Sequence, residues 1–310
     1  MSASFSNLLP IGHFKLVYQV DGRYVNDHCI VRDRDGVFHL FYIDGIVGMG
    51  CYDLGNEVII GHATSVDLYS WRTEEPALVA DTSLPWEERG IFAPYVIEHH
   101  GRWYMFYSSH NLAKAQYMCL ATSENLFAWR RYCSNPLFLP SLTWAYWASD
   151  EPCSCRDPHV IKHEQYGFIM YWVADMKHPR NHSCIAASVS SDLFHWQEVG
   201  PVLVRRWSYD EHYTTKTESP CVVGRGDRYV LFYRHGDGTK YCISDDPLDW
   251  HGRDSHLLCT SHASEVFEAD GHWWITSCSR PPEDVEHKFD RTRGLYIASL
   301  EWCGDRPVVL

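Results

Sequence analysis

Phe38-His-Leu-Phe-Tyr-Ile43 is a six-residue run of aromatic and aliphatic side chains. Runs of the same character return at Trp103-Tyr-Met-Phe-Tyr-Ser108, Phe168-Ile-Met-Tyr-Trp-Val173, Tyr229-Val-Leu-Phe-Tyr-Arg234 and Trp273-Trp-Ile-Thr-Ser-Cys278. Aromatic and β-branched residues in runs this short favour strands over helices. Ahead of each run stands a shorter apolar segment: Cys29-Ile-Val31, Tyr95-Val-Ile97, His159-Val-Ile161, Cys221-Val-Val223 and Val266-Phe267. Asp35-Gly36, His100-Gly101, Tyr166-Gly167, Gly226-Asp227 and Asp270-Gly271 join the two members, so each unit begins as a hairpin.

Four units then carry another strand and the pattern Ser-x-Asp/Asn-Leu/Pro-x-x-Trp. It reads Ser65-Val-Asp-Leu-Tyr-Ser-Trp71, Ser123-Glu-Asn-Leu-Phe-Ala-Trp129, Ser190-Ser-Asp-Leu-Phe-His-Trp196 and Ser244-Asp-Asp-Pro-Leu-Asp-Trp250. Asp, Asn and Ser bond their own local backbone in turns, and a Trp supplies a large apolar area for packing. The pattern therefore speaks of architecture rather than chemistry. A spacing of roughly 55–65 residues between the tryptophans suits four strands plus functional loops. The expected fold is all-β, a five-bladed β-propeller with blades starting near residues 24, 90, 155, 216 and 262. No linker or low-complexity stretch interrupts the repeat, so residues 1–310 read as one domain.

Hydrophobic residues make up 45% of the chain and aromatics 15%, enough to fill the spaces between stacked sheets. With no apolar run near 18 residues, a membrane span is not expected. The N-terminal segment Met1-Ser-Ala-Ser-Phe-Ser-Asn-Leu-Leu-Pro10 has neither a basic start nor an apolar core, which makes the cytoplasm the expected location. The twelve cysteines are scattered, several of them within expected strands, as suits reduced thiols acting as small hydrophobes. Cys153-Ser-Cys155 is the one close-set pair, and it lacks the further thiols or histidines of a zinc site. A net charge of −13 without any basic stripe excludes nucleic acid as a natural partner and suits a neutral substrate such as a sugar. Nothing in the sequence sets an oligomeric state.

Three acids open first-strand segments of this repeat: Asp27 in Tyr24-Val-Asn-Asp-His28, Asp157 in Arg156-Asp-Pro158 and Glu218 in Thr217-Glu-Ser-Pro220. First strands line the channel of a propeller, so these acids are expected to meet at one mouth. Glycosidic cleavage needs a carboxylic acid to protonate the leaving oxygen and a carboxylate to attack or to activate water. Crowded acids push their pKa values apart, which supplies the two protonation states.

The chain resembles the five-bladed propeller glycosidases, the clan of glycoside hydrolase families 32 and 68 and the related family 43. Asn26-Asp27 followed by Phe38-His-Leu-Phe-Tyr42 resembles the family 32 opening. Gly61-His-Ala-Thr-Ser-Val-Asp-Leu-Tyr-Ser-Trp71, Arg156-Asp-Pro158 and Glu218-Ser-Pro220 are similar to its later motifs. The resemblance implies Asp27 as nucleophile or general base, Glu218 as general acid, and Asp157 as transition-state stabiliser with Arg156 beside it. The sequence departs from family 32 at His28-Cys-Ile30 and Tyr24-Val25, and it ends soon after the fifth blade without that family's C-terminal β-sandwich. Phe92-Ala-Pro-Tyr95 is similar instead to a family 43 motif.

Around the acids, Asn26, Tyr95 and Arg234 are expected to contact sugar hydroxyls, and Trp144 and Trp147 to stack on sugar faces at the rim. Glu265 is the fifth-blade counterpart of the acids and a candidate substrate ligand. His262 is expected to line the channel, where the family 43 likeness implies a histidine beside a structural ion; no other cofactor or metal is called for. The expected activity is hydrolysis of terminal furanosides in an oligosaccharide or small glycoside, most like a β-fructofuranosidase, with transglycosylation open to the same groups. The alternatives are an arabinofuranosidase or xylosidase of the family 43 kind and a noncatalytic sugar-binding propeller.

Overall fold

In the computed structural model, residues 14–208, 216–236, 238–279 and 293–310 are described below. They form five antiparallel sheets. The first contains β2 (Arg23–Arg32), β3 (Phe38–Ile46), β4 (Ile59–Ser65) and β5 (Trp71–Thr73), with the short β6 (Leu78–Val79) also on β4. The second is β7 (Gly90–His99), β8 (Arg102–His110), β9 (Gln116–Ser123) and β10 (Trp129–Arg131). In the third, β12 (Cys155–His163), β13 (Gly167–Met176), β14 (His182–Ser190) and β15 (Gln197–Arg206) follow one another, with β11 (Ala145–Tyr146) beside β13. The fourth is β16 (Glu218–Arg225), β17 (Arg228–His235), β18 (Gly238–Ser244) and β19 (His256–Cys259). The fifth joins β20 (Val266–Ala269), β21 (His272–Ser277) and β22 (Leu295–Cys303) to β1 (Lys15–Tyr18) and β23 (Arg306–Val309), both of which pair with β22. The fold is a five-bladed β-propeller.

The aromatic runs are the second strands of the blades, and their lack of polar alternation has a packing cause. Each is buried on both faces, so successive residues serve different interfaces. Tyr104 and Phe106 of β8 pack with Met170 and Trp172 of blade 3, whereas Met105 and Tyr107 pack with Phe41 and Ile60 of blade 1. Leu231 and Tyr233 of β17 face Ile169 and Tyr171, while Val230 and Phe232 face Ile275 and Ala298 of blade 5. Leu40 and Tyr42 of β3 complete the ring against Tyr18 and Leu295. Gly61 is required by close approach, because a Cβ there would lie 2.3 Å from the Tyr42 ring.

The Ser-x-Asp-Leu-x-x-Trp pattern forms a turn that caps the third strand. Ser65 Oγ accepts the amides of Asp67 and Leu68, Asp67 Oδ1 accepts those of Tyr69 and Ser70, and the Trp71 indole donates to the Leu68 carbonyl at 2.9 Å. Ser123 with Asn125 and Ser190 with Asp192 repeat the same bonds, and Trp250 donates to Pro247 in blade 4. All twelve cysteines are free thiols, most of them buried.

One expectation is corrected. The acids were placed at the heads of short first strands; Glu218 does open β16, at the edge of a β-bulge, but β2 and β12 begin earlier, and Asp27 and Asp157 stand inside them, within the bulges. Pairing slips by one residue between Val25 and His28, Phe92 and Tyr95, Arg156 and His159, and Glu218 and Cys221. Blade 5 repeats the slip, since Cys278 N–H reaches the His262 carbonyl and Thr276 N–H that of Glu265.

Candidate active site

A bulge places two extra-ladder residues between two paired ones and bends the strand. Aligning the five bulges by their pairing gives four successive levels down the channel wall. The first level holds Val25, Phe92, Arg156, Glu218 and His262; the second Asn26, Ala93, Asp157, Ser219 and Ala263. The third holds Asp27, Pro94, Pro158, Pro220 and Ser264, and the fourth His28, Tyr95, His159, Cys221 and Glu265. The three acids thus occupy three different levels rather than one shared register, and this stagger lets them approach one another without stacking charge on charge. Ala93, Asp157, Ser219 and Ala263 hold positive φ of 45–56°. A non-glycine residue in that region costs about 1–2 kcal/mol, a strain that collects at functional sites.

Ser219 joins the acids. Its Oγ donates to Asp27 Oδ1 at 2.9 Å, and its backbone N–H donates to Asp157 Oδ2 at 2.9 Å. Glu218, the residue before it, accepts from Arg234 at 2.7 Å and from Arg156 at 3.4 Å. Arg156 also lies 3.3 Å from Asp157 Oδ2, so one guanidinium touches two of the three acids. Burial pushes the Asp157 carboxyl up to about 6; Arg156 opposes that rise and the Asp27 charge adds to it.

Asp27, Arg156, Asp157 and Glu218 wall a cavity of about 450 Å³ that also takes in Asn26, Tyr52, Glu57, Phe92, Trp207, Lys216, His262 and Arg293. Of the residues expected from sequence, Asn26, Asp27, Arg156, Asp157, Glu218 and His262 line it. The others lie elsewhere. Arg234 is buried behind Glu218 and fixes that carboxylate. Trp144 gives its indole N–H to Glu198 and packs 5.9 Å from Trp172, and Trp147 gives its own to the Gln116 carbonyl beside Tyr117. Both indoles are anchored between blades 2 and 3 instead of standing at the rim. Tyr95 lies against the His159 ring at 4.4 Å on the fourth level, and Glu265 shares that level.

Tyr52, Glu57, Trp207, Lys216 and Arg293 line the cavity without having been singled out from the sequence. Glu57 follows β3 in a loop with no repeat signature, is 2% exposed, and accepts from Tyr24 Oη at 2.7 Å and Asn26 Nδ2 at 3.3 Å. Burial pushes its carboxyl up to about 8; the Tyr24 bond works against the shift and the charge of Asp27 reinforces it. Asn26 in turn accepts from the buried Arg293 at 2.5 Å. Trp207 lies under the Lys216 ammonium, 5.1 Å from its ring, and Lys216 pairs with Asp175 at 2.7 Å.

A five-bladed propeller with a carboxylate-lined funnel at its axis defines the class of propeller glycosidases. The family model for the glycosyl hydrolases family 32 N-terminal domain matches residues 18–220. The chain belongs to that family and is a glycosidase. Among solved structures it is similar to a thermostable family-43 glycoside hydrolase, with a TM-score of 0.68 and 18% identity over 97% of this chain and 94% of that one. It is also similar to the GH32 β-fructofuranosidase of Bombyx mori, with a TM-score of 0.68 and 19% identity over 96% of this chain and 64% of that one. The sucrose-6-phosphate hydrolase of Lactobacillus gasseri matches with a TM-score of 0.68 and 19% identity, over 95% of this chain and 63% of that one. The chain therefore spans just under two thirds of those two longer proteins.

Proposed function

We propose that the chain hydrolyses terminal furanosides of oligosaccharides or small glycosides, in the manner of a β-fructofuranosidase. The observation that carries this reading is the Ser219 link, which holds Asp27 and Asp157 together beside Glu218 at the wall of one cavity. In the proposed reaction Glu218 gives its proton to the glycosidic oxygen as the bond from that oxygen to the anomeric carbon breaks. Asp27 either forms a bond to that carbon, to be released by water, or takes a proton from the attacking water. Asp157 and Arg156 hold the ring hydroxyls as positive charge develops on the sugar. Arg234 and Arg156 fix the orientation of Glu218 before substrate arrives, so less ordering is left for the transition state.

Asp27→Asn and Glu218→Gln are each expected to lower kcat by about 10²–10⁴-fold or more while leaving the melting temperature near that of the parent. Near-normal turnover of sucrose or inulin oligosaccharides by either variant would remove the assignment. The same comparison run with aryl arabinofuranosides and xylosides tests a second reading, a family 43 type of specificity. Phe92-Ala-Pro94 supports that second reading, because its Phe92 faces the cavity where the first sugar would sit. The anomer formed first, followed by NMR, reports whether Asp27 acts as nucleophile or as base.

A further inference from the structure

Below the acids, the fourth level of the channel gathers side chains that the proposed hydrolysis does not use. His28, Tyr95, His159, Cys221 and Glu265 come from five different blades at one register position. Two pairs among them touch, Tyr95 with His159 and Cys221 with Glu265. The Tyr95 and His159 rings stand 4.4 Å apart, His159 Nε2 lies 3.1 Å from the Val222 carbonyl, Cys221 Sγ lies 3.9 Å from Glu265 Oε2, and His28 Nε2 meets Thr276 Oγ1 at 2.8 Å. One ligand atom each from His159, Cys221 and Glu265 fall within 4.8 Å of one another, the one such trio of His, Cys, Asp or Glu among the described residues.

We infer that His159, Cys221 and Glu265 form a binding site for a divalent zinc-like ion that ties blades 3, 4 and 5 together at the propeller axis. Zinc takes thiolate, imidazole and carboxylate together at bond lengths of about 2.0–2.3 Å, so its tetrahedral ligands stand roughly 3.3–3.8 Å apart. The trio reaches that spacing with side-chain shifts of about 1 Å. A thiolate ligand favours zinc over calcium or magnesium, which prefer oxygen. His159 is buried and neutral, and its Nε2 proton goes to the Val222 carbonyl. Nδ1 is then left as a buried lone pair with no partner. A backbone carbonyl in that place is the usual means of orienting an imidazole ligand.

Room for a further ligand is also present. A cavity of about 20 Å³ runs from the second to the fourth level, bounded by Asp27, His28, Asp157, Ser219 and Glu265, the last being the member of the trio that lines it. That is the space of about one water molecule. The site lies three residues deeper in blade 5 than His262, and its ligands differ from the single histidine considered there.

The test uses the whole chain, freed of metal by chelator and then given Zn²⁺ or Co²⁺ alone. One equivalent of zinc retained through gel filtration, a higher melting temperature with zinc, and a thiolate-to-cobalt charge-transfer band with Co²⁺ are the expected results. Cys221→Ser should abolish the band, and Glu265→Gln should weaken zinc at least about 10-fold. If Cys221→Ser does not fold, the cobalt band of the parent and the Glu265→Gln titration still decide. No retained zinc, cobalt binding without a thiolate band, or unchanged binding in Glu265→Gln would overturn the site. None of these readouts uses turnover, so the outcome is independent of the proposed hydrolysis.

Discussion

Glu57 shows how a single side chain can be decisive and still leave no trace in the sequence. Its carboxyl is buried against Tyr24 and Asn26, one hydrogen bond away from the strand that carries Asp27. In the unfolded chain a Glu titrates near 4.3; in the fold this one is pushed up to about 8. Between those values the folded state binds the proton more tightly, so the contribution of Glu57 to stability is full at low pH and is lost as pH rises through 8. Asp157, raised to about 6, has the same sign over a narrower window. The melting temperature is expected to fall between about pH 4 and pH 8. Glu57→Gln should flatten that fall by a few degrees at the alkaline end and change little at the acid end. A slope identical to the parent would mean that Glu57 is ionised throughout. Asp27, Asp157 and Glu218 were legible because each sits in a short motif beside a strand signal. Glu57 and Trp207 lie in loops outside the repeat, and only the folded chain brings them to the cavity.

At the scale of the element, the β-bulge is the device that makes the site. The same one-residue slip recurs in the inner strands of blades 1 to 4 and just ahead of that of blade 5, and Glu218, Asp157 and Asp27 take its first, second and third positions. The sequence pointed to the right strands but not to the slip, because apolar spacing registers where a strand is and cannot record a single inserted residue. The bulge of β16 is the most exposed to test. Ser219→Ala keeps the backbone N–H that holds Asp157 and removes the hydroxyl that holds Asp27. A hydrogen bond to a charged group is worth about 1.5–3 kcal/mol, which sets the expected loss of kcat at roughly 10–100-fold, with KM little changed. Unaltered kcat would show that Asp27 is held without Ser219. The tryptophan indoles of the first three turn motifs behave differently. The motif was read from the sequence as turn and packing architecture, and the indole bonds to the preceding Leu carbonyls, seen only in the structure, belong to that architecture.

For the molecule as a whole, closure of the ring depends on a strand that the repeat did not announce. β1 comes from the N-terminal end yet pairs with β22 of the last blade, and its Tyr18 hydroxyl reaches Tyr42 at 3.0 Å and Thr73 at 2.9 Å in blade 1. Blades 5 and 1 are thereby fastened by one short segment. Tyr18→Phe is expected to cost about 1–3 kcal/mol, and removal of the chain through Tyr18 considerably more, both read as lower urea midpoints. A truncated chain as stable as the parent would show that the ring closes without β1. What the sequence by itself determined was the number of blades, their order, the strands that line the channel and the acids those strands carry. Local periodicity and turn chemistry repeat with the chain and need no distant partner. Tertiary structure alone decided the stagger of the acids, the burial of Trp144 and Trp147, the recruitment of Glu57 and Trp207, and the meeting of His159, Cys221 and Glu265. Those features depend on which residues face one another across the axis, a relation that exists only once five blades have closed into a ring.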